Sequence, residues 1–289
     1  MNPWMQATRP RTLGAAVIPV LAGGALAFST GEFDKIATAL ALACAVLIQI
    51  ATNYFNDAID HAKGADTIDR IGPLRVTSAG LLPFRQVIAA GFSVLGLTVV
   101  LAVPLVVKGG WIILLIGFAS IVLAYLYTGG PWPLAYHGLG EIFVVLFFGL
   151  IAVGGTFYLN TLDFSAAALL AGLQIGLHSS VLLAVNNLRD LDGDRLAGKR
   201  TLAARFGLAF AQKESAALVM APFLLGVMWL GLGYIWAFVL PMAALPLAWW
   251  LARACLAATP DRRVNQLLAQ SATLQASYGL LLAIGFLLP

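Results

Sequence analysis

Long apolar stretches separated by short polar interruptions run the length of this chain. A stretch of roughly 17–25 apolar residues is what an α-helix needs to cross a bilayer. Only helices and closed barrels can cross with every backbone polar group satisfied. Nine such stretches are read, at 12–29, 36–57, 86–107, 111–128, 139–159, 165–188, 214–232, 234–254 and 267–288. Only Gly231-Leu232-Gly233 divides the seventh from the eighth. The pattern predicts an all-α membrane protein of about nine transmembrane helices. With no linker or low-complexity segment, residues 1–289 are expected to form one domain.

Composition agrees. Of 289 residues, 61% are hydrophobic and 10% charged, whereas soluble domains are about a quarter charged. The net charge of +4 does not imply a nucleic-acid partner, because the basic residues are confined to a few loops. With the N-terminus inside, fifteen of the seventeen fall in inside segments. These are Arg9 and Arg11; Lys63, Arg70, Arg75 and Arg85; Arg189, Arg195, Lys199, Arg200, Arg205 and Lys213; and Arg253, Arg262 and Arg263. Only Lys35 and Lys108 fall outside. The positive-inside rule then predicts a multi-pass protein of the cytoplasmic (inner) membrane. Cys44 and Cys255 lie in apolar runs and read as small buried hydrophobes rather than as a disulfide or zinc framework. Arg9 and Arg11 before an apolar run resemble a signal peptide superficially, but the many later spans favour a first transmembrane helix.

Two acidic clusters interrupt this pattern, each at the end of an apolar run. The first is Asn53-Tyr-Phe-Asn56-Asp57-Ala-Ile-Asp60-His-Ala-Lys63-Gly64-Ala-Asp66. The second is Asn186-Asn187-Leu-Arg189-Asp190-Leu-Asp192-Gly-Asp194, trailed by Lys199 and Arg200. Carboxylates near membrane depth are costly and mark function by default. Residues four apart share a helix face, which groups Asn56 with Asp60, Asn53 with Asp57, Asn186 with Asp190 and Asp190 with Asp194. Two such helix ends would offer hard oxygen ligands suited to Mg2+, which commonly takes one or two carboxylates, waters and substrate phosphate. Arg70, Arg75, Lys199 and Arg200 are the candidates for diphosphate oxygens. The plainer alternative is a pair of solvated loops rich in turn and cap residues. The shared Asn-x-x-x-Asp pattern also suggests two pseudo-symmetric halves. The topology above places both clusters on the cytoplasmic side.

A third polar segment, from Tyr125 through Tyr127, Pro131, Trp132 and Tyr136 to Glu141, has the Gly and Pro content of a shaped loop. Its aromatics either anchor at the interface or face a site where positive charge develops. Glu141 can complement a helix N-terminus. His178, on the stripe with Gln174 and Asn186, reads as a hydrogen-bonded core residue.

The motif Asn56-Asp57-x-x-Asp60 together with Asp190-x-x-x-Asp194 resembles the paired signature of the UbiA superfamily of intramembrane prenyltransferases. The finer pattern is similar to the 1,4-dihydroxy-2-naphthoate polyprenyltransferase branch of menaquinone synthesis. It is carried by Arg9-Pro-Arg-Thr-Leu13, Asn56 through Asp66, Arg70-Ile-Gly-Pro-Leu-Arg75, Tyr127-Thr-Gly-Gly-Pro131 and Gly198-Lys-Arg-Thr-Leu202. The 4-hydroxybenzoate branch generally carries an Asp four residues after the position of Asp60; here that residue is Gly64, with Asp66 two further on. The resemblance implies helices around a central cavity, a polyprenyl diphosphate donor and an aromatic acid acceptor. It implies Mg2+ held by Asn56, Asp57, Asp60, Asp66, Asp190 and Asp194, with Asp57, Asp60, Asp190 and Asp194 catalytic. Asn53, Asn186, Asn187, Tyr127 and Arg9 are expected at the substrates. The rival readings are another acceptor (4-hydroxybenzoate, homogentisate or a porphyrin-type ring) and, in a different class, a secondary transporter. Prenyl chain length, the proton-accepting base and oligomeric state are not legible.

Overall fold

The computed structural model describes residues 2–64, 72 and 75–289, with only the backbone of Arg11. Among the described residues all regular secondary structure is helical. The long elements are α1 (Gly14–Ser29), α2 (Lys35–Ala62), α3 (Phe84–Leu126), α4 (Gly140–Thr161), α5 (Ala166–Arg189), α6 (Leu208–Gly231), α7 (Ile235–Leu256) and α8 (Val264–Leu287). The seven from α2 onward are long and apolar enough to span a membrane, and α1 is a shorter apolar helix.

These eight elements account for the nine stretches because α3 is two helices joined at a kink. Gly110 has φ 65° and ψ −152° there, a conformation only glycine adopts readily. The kink lies between the stretches at 86–107 and 111–128. Gly231-Leu232-Gly233, the weakest divider in the sequence, does separate α6 from α7.

The most deeply buried span is α5, packed by α1, α4, α6 and α8. The approach to α4 is set by glycine. A Cβ on Gly149 would lie 2.2 Å from the Gly172 carbonyl oxygen and 2.7 Å from the Gly176 Cα. Small residues allow helix backbones to come this close in a membrane, where packing rather than water exclusion drives association. Gly149 sits in a π-helical turn, Leu146–Ile151. On the opposite flank of α5, polar side chains satisfy one another in the core. Gln174 receives the Trp229 indole N–H at 2.9 Å and donates to the Pro222 carbonyl at 2.9 Å. His178 is buried, with Nε2 3.1 Å from the Val219 carbonyl and its ring edge-on to Tyr278.

The outer surface is apolar. On α3 alone Phe92, Val100, Val107, Trp111, Leu115 and Phe118 are exposed. In water such a surface would aggregate; in lipid it is the expected exterior. The two ends of the bundle differ. Asp34 caps the start of α2, its Oδ1 accepting from the Ile36 and Ala37 N–H groups at 2.9 and 3.0 Å, while Lys108 pairs with its Oδ2 at 2.5 Å. The Lys108 partner holds the Asp34 carboxyl below its ordinary pKa, reinforced by the capping N–H groups. Asp60 lies 26 residues further along α2, roughly 40 Å away at 1.5 Å per residue.

Candidate active site

Both acidic clusters line one cavity of about 810 Å3, between α1, α2, α3, α4, α5 and α8. Its polar end holds Arg9, Asn53, Asn56, Asp57, Asp60, Arg75, Tyr127, Asn186, Asn187, Asp190, Asp194 and Lys199. Its deeper walls are apolar, with Cys44, Leu105, Ile113, Ile116, Phe147, Phe148 and Leu159. A charged mouth leading to a greasy interior is the shape an amphiphile needs.

The last two turns of α2 supply the first cluster. Asp57 is buried, and its two oxygens accept the Val76 and Thr77 backbone N–H groups at 3.2 and 2.9 Å. It therefore fastens the chain entering α3 to the end of α2. Asp60, one turn on, accepts the Tyr136 hydroxyl at 2.9 Å. Asn56 accepts the Thr128 hydroxyl. Asn53 donates to the Thr8 carbonyl at 2.8 Å, tying the N-terminal segment to α2. Arg9 reaches the cavity from a left-handed backbone conformation, φ 51°.

The second cluster is built differently from the single helical face expected. The α5 helix stops at Arg189; Asp190 caps it, and Asp194 belongs to a separate short helix, Leu191–Leu196. The Asp194 N–H donates to the Asp190 carbonyl at 2.7 Å across this break. Arg189 is fully buried. Its Nε and Nη2 both meet the Asp190 carboxylate at 2.7 Å, and Nη1 donates to Asn265 at the start of α8 at 2.9 Å. This bidentate pair fixes the orientation of Asp190.

Lys199 joins the clusters. Its Nζ is 3.5 Å from Asp60 and 3.9 Å from Asp194. The Tyr136 ring lies beneath both Lys199 and Lys63, at 4.9 and 4.6 Å from the ring centre. Lys63 donates to the Thr128 carbonyl at 2.8 Å. Burial, together with the positive charge of Lys199, lowers the Lys63 pKa against the opposing pull of Asp60. The Tyr136 carbonyl receives the Arg200 N–H at 2.9 Å. The aromatic loop thus binds the first acidic cluster through a hydroxyl and the basic segment trailing the second through a backbone carbonyl. At its start, the Tyr127 phenol is pushed above its ordinary pKa by burial and then by the negative charges of Glu141, Asp60 and Asp194.

The structure therefore gathers twelve expected residues around one space. The Arg200 side chain is exposed and does not line the cavity. Asp66 and Arg70 lie outside the described residues. Tyr136, read from the sequence as one of the loop aromatics that could face developing positive charge, also gives its hydroxyl to Asp60; the sequence assigns no role at the site to Asn265 or to the buried Glu141. Their signal is weak, since each is a single polar residue at the edge of an apolar stretch.

The donor set fits a divalent cation. Among the described residues no three His, Cys, Asp or Glu side chains cluster tightly enough to hold an ion alone. Mg2+ does not require that, because it is usually held by one or two carboxylates, waters and substrate phosphates. An ammonium between Asp60 and Asp194 marks where positive charge is stabilised by both clusters.

Known proteins share this architecture. A structure of a UbiA homolog from Aeropyrum pernix K1 superposes with a TM-score of 0.71 at 18% identity, over 96% of each chain. A UbiA homolog from Archaeoglobus fulgidus, bound to DMAPP and Mg2+, gives a TM-score of 0.61 at 16% identity, over 97% of this chain and 99% of that one. The chain is also 39% identical over 225 residues to the 1,4-dihydroxy-2-naphthoate octaprenyltransferase of Escherichia coli (strain K12), covering 75% of this chain and 72% of the relative. The UbiA prenyltransferase family model matches residues 16–274. With its helical bundle, its paired acidic clusters and this match along most of its length, the chain belongs to the UbiA prenyltransferase family and is a multi-pass membrane prenyltransferase.

Proposed function

We propose that the protein transfers a polyprenyl group from polyprenyl diphosphate to 1,4-dihydroxy-2-naphthoate, with loss of the ring carboxylate, on the way to demethylmenaquinone. The observation that carries this reading is the 39% identity to a relative of that activity. The Gly64 and Asp66 pattern after Asp60 supports the same branch.

The isoprenoid chain lies along Leu105, Ile113, Phe147 and Phe148, and the diphosphate lies at the polar mouth. Asp60, Asp190 and Asp194 would hold Mg2+ with the diphosphate, joined by Asn56, Asp57 and Asp66. The bound cation supplies Lewis-acid withdrawal of charge from the leaving group. Lys199, Arg75 and Arg70 neutralise the diphosphate as the allylic C–O bond lengthens. Arg9, Asn53, Asn186, Asn187 and Tyr127 surround the acceptor and the reacting carbon. Enclosure by α1, α2, α4, α5 and α8 keeps water from the developing cation. The distribution of basic residues supports a cytoplasmic orientation for this mouth in the inner membrane.

Incubating membranes that contain the protein with Mg2+, a polyprenyl diphosphate and a panel of aromatic acids tests this reading. The expected product is the prenylated naphthalene diol without its carboxylate. Turnover of 4-hydroxybenzoate or homogentisate in preference to the naphthoate would overturn the assignment.

A further inference from the structure

One carboxylate at the cavity has no place in the metal or diphosphate chemistry. Glu141, in the first turn of α4, is 7% exposed and lines the cavity. Its Oε1 accepts the Asn187 amide at 2.7 Å. Its Oε2 is buried and, among the described residues, has no hydrogen-bond partner. An ionised carboxylate in a buried position is stabilised when donors match its oxygens; none of the described residues supplies one to Oε2, which leaves that oxygen to a bound ligand. Complementing the helix N-terminus would explain a negative charge at this position. It would not explain burial with one oxygen unmatched. Gln49 Oε1, also buried and unmatched at the cavity, can accept a hydrogen bond, but an amide does not take a proton.

Position identifies the missing donor. Asn187 precedes Asp190 by three residues on α5, roughly 4.5 Å along the axis at 1.5 Å per residue. Glu141 therefore sits about one turn deeper than Asp190. The reacting prenyl carbon is bonded directly to the diphosphate, so it lies at this same boundary between charged mouth and apolar wall. The acceptor's ring must reach that carbon, bringing its hydroxyl groups to the level of Glu141.

Resting on the prenyl-transfer reading above, we propose that Glu141 Oε2 binds a hydroxyl of the aromatic acceptor and takes its proton as the new carbon–carbon bond forms. The O–H electron pair moves into the ring, and the ring carbon beside it bonds the prenyl carbon. The prenyl C–O pair departs with the diphosphate, and the proton rests on Glu141. When that ring carbon carries the carboxylate, the C–C bond to CO2 then breaks. Its electrons return to the ring oxygen, which takes the proton back from Glu141. The carboxylate ends as it began, and no further reactant is needed. The side chains that feel the Glu141 charge are Tyr127, from the loop after α3, and Glu214, on α6.

The test compares wild type with Glu141→Gln, which keeps an oxygen for Asn187 but cannot take a proton. Three readouts are needed: thermal unfolding, binding of the prenyl diphosphate, and kcat and KM for the naphthoate across pH. The expected result is unchanged unfolding and donor binding with kcat down by about 100-fold or more at neutral pH, the usual contribution of a positioned base. The deficit should shrink as pH rises toward about 10, the ordinary phenol range, where the acceptor ionises by itself. A variant with wild-type kcat, or one whose loss is equal at every pH, would overturn the proposal. If the variant fails to fold, Glu141→Asp decides: a deficit that responds to pH in the same manner upholds the role, and a pH-independent one refutes it. Wild-type protein that does not prenylate the naphthoate at all would instead refute the function on which the proposal rests.

Discussion

At the scale of single residues, the carboxylates of the site differ in how firmly the protein itself holds them. Asp57 is committed to two backbone N–H groups and Asp190 to a buried guanidinium, whereas Asp60 meets the Tyr136 hydroxyl and the ammonium groups of Lys199 and Lys63 among the described residues. Asp60→Asn should therefore leave thermal unfolding unchanged while lowering prenyl transfer by at least about 100-fold, a loss of the size that follows removal of a key electrostatic group. Arg189→Leu should do the reverse in order of severity. It removes the bidentate partner of Asp190 and the contact to Asn265, and losing one member of a pair whose guanidinium is buried costs up to about 3–5 kcal/mol, visible as a drop in unfolding temperature before any assay of activity. The two acidic clusters were legible because charge at the end of an apolar run stands out in a linear reading. The Asp57 bonds to residues 76 and 77, the Arg189–Asn265 contact and the Tyr136–Asp60 hydroxyl were not. Spacing reveals neighbours along one helix, and these partners come from different ones.

At the scale of elements, helix positions followed from apolar length, and their breaks followed from glycine. What the linear pattern could not disclose is which glycines are breaks and which are contacts. Gly110 bends α3, while Gly149, Gly172 and Gly176 let α4 and α5 touch. Likewise, the face expected to carry Asn186, Asp190 and Asp194 is interrupted by the end of α5 at Arg189. Gly149→Ala forces a methyl group against backbone rather than a mobile side chain, so it should destabilise by about 1–3 kcal/mol, measured by thermal unfolding in detergent. The cap at the far end offers a contrasting case. Asp34→Ala removes the α2 N-cap and the Lys108 partner, with an expected loss of about 1 kcal/mol and no loss of activity, because the cluster lies at the other end of α2. The folded Asp34 carboxyl is held below its ordinary pKa of 3.8. Its contribution is therefore complete above that value and fades as pH falls through the lowered one; wild type and Asp34→Ala should converge in unfolding temperature under strongly acid conditions.

At the scale of the whole molecule, a lipid-facing exterior surrounds a cavity whose charged mouth and apolar depth match a prenyl diphosphate. The aromatic loop holds the mouth together by bonding to the first cluster and to the basic segment that trails the second. The central claim is that carboxylates from two separate segments jointly bind a cation-bound diphosphate. The most direct test is equilibrium binding of an unreactive polyprenyl diphosphate analogue to the purified protein, titrated with Mg2+ and repeated with Asp60→Asn. Saturable binding that requires Mg2+ and weakens in the variant is the predicted result. Equal affinity in the presence of chelator, unchanged by Asp60→Asn, would contradict it.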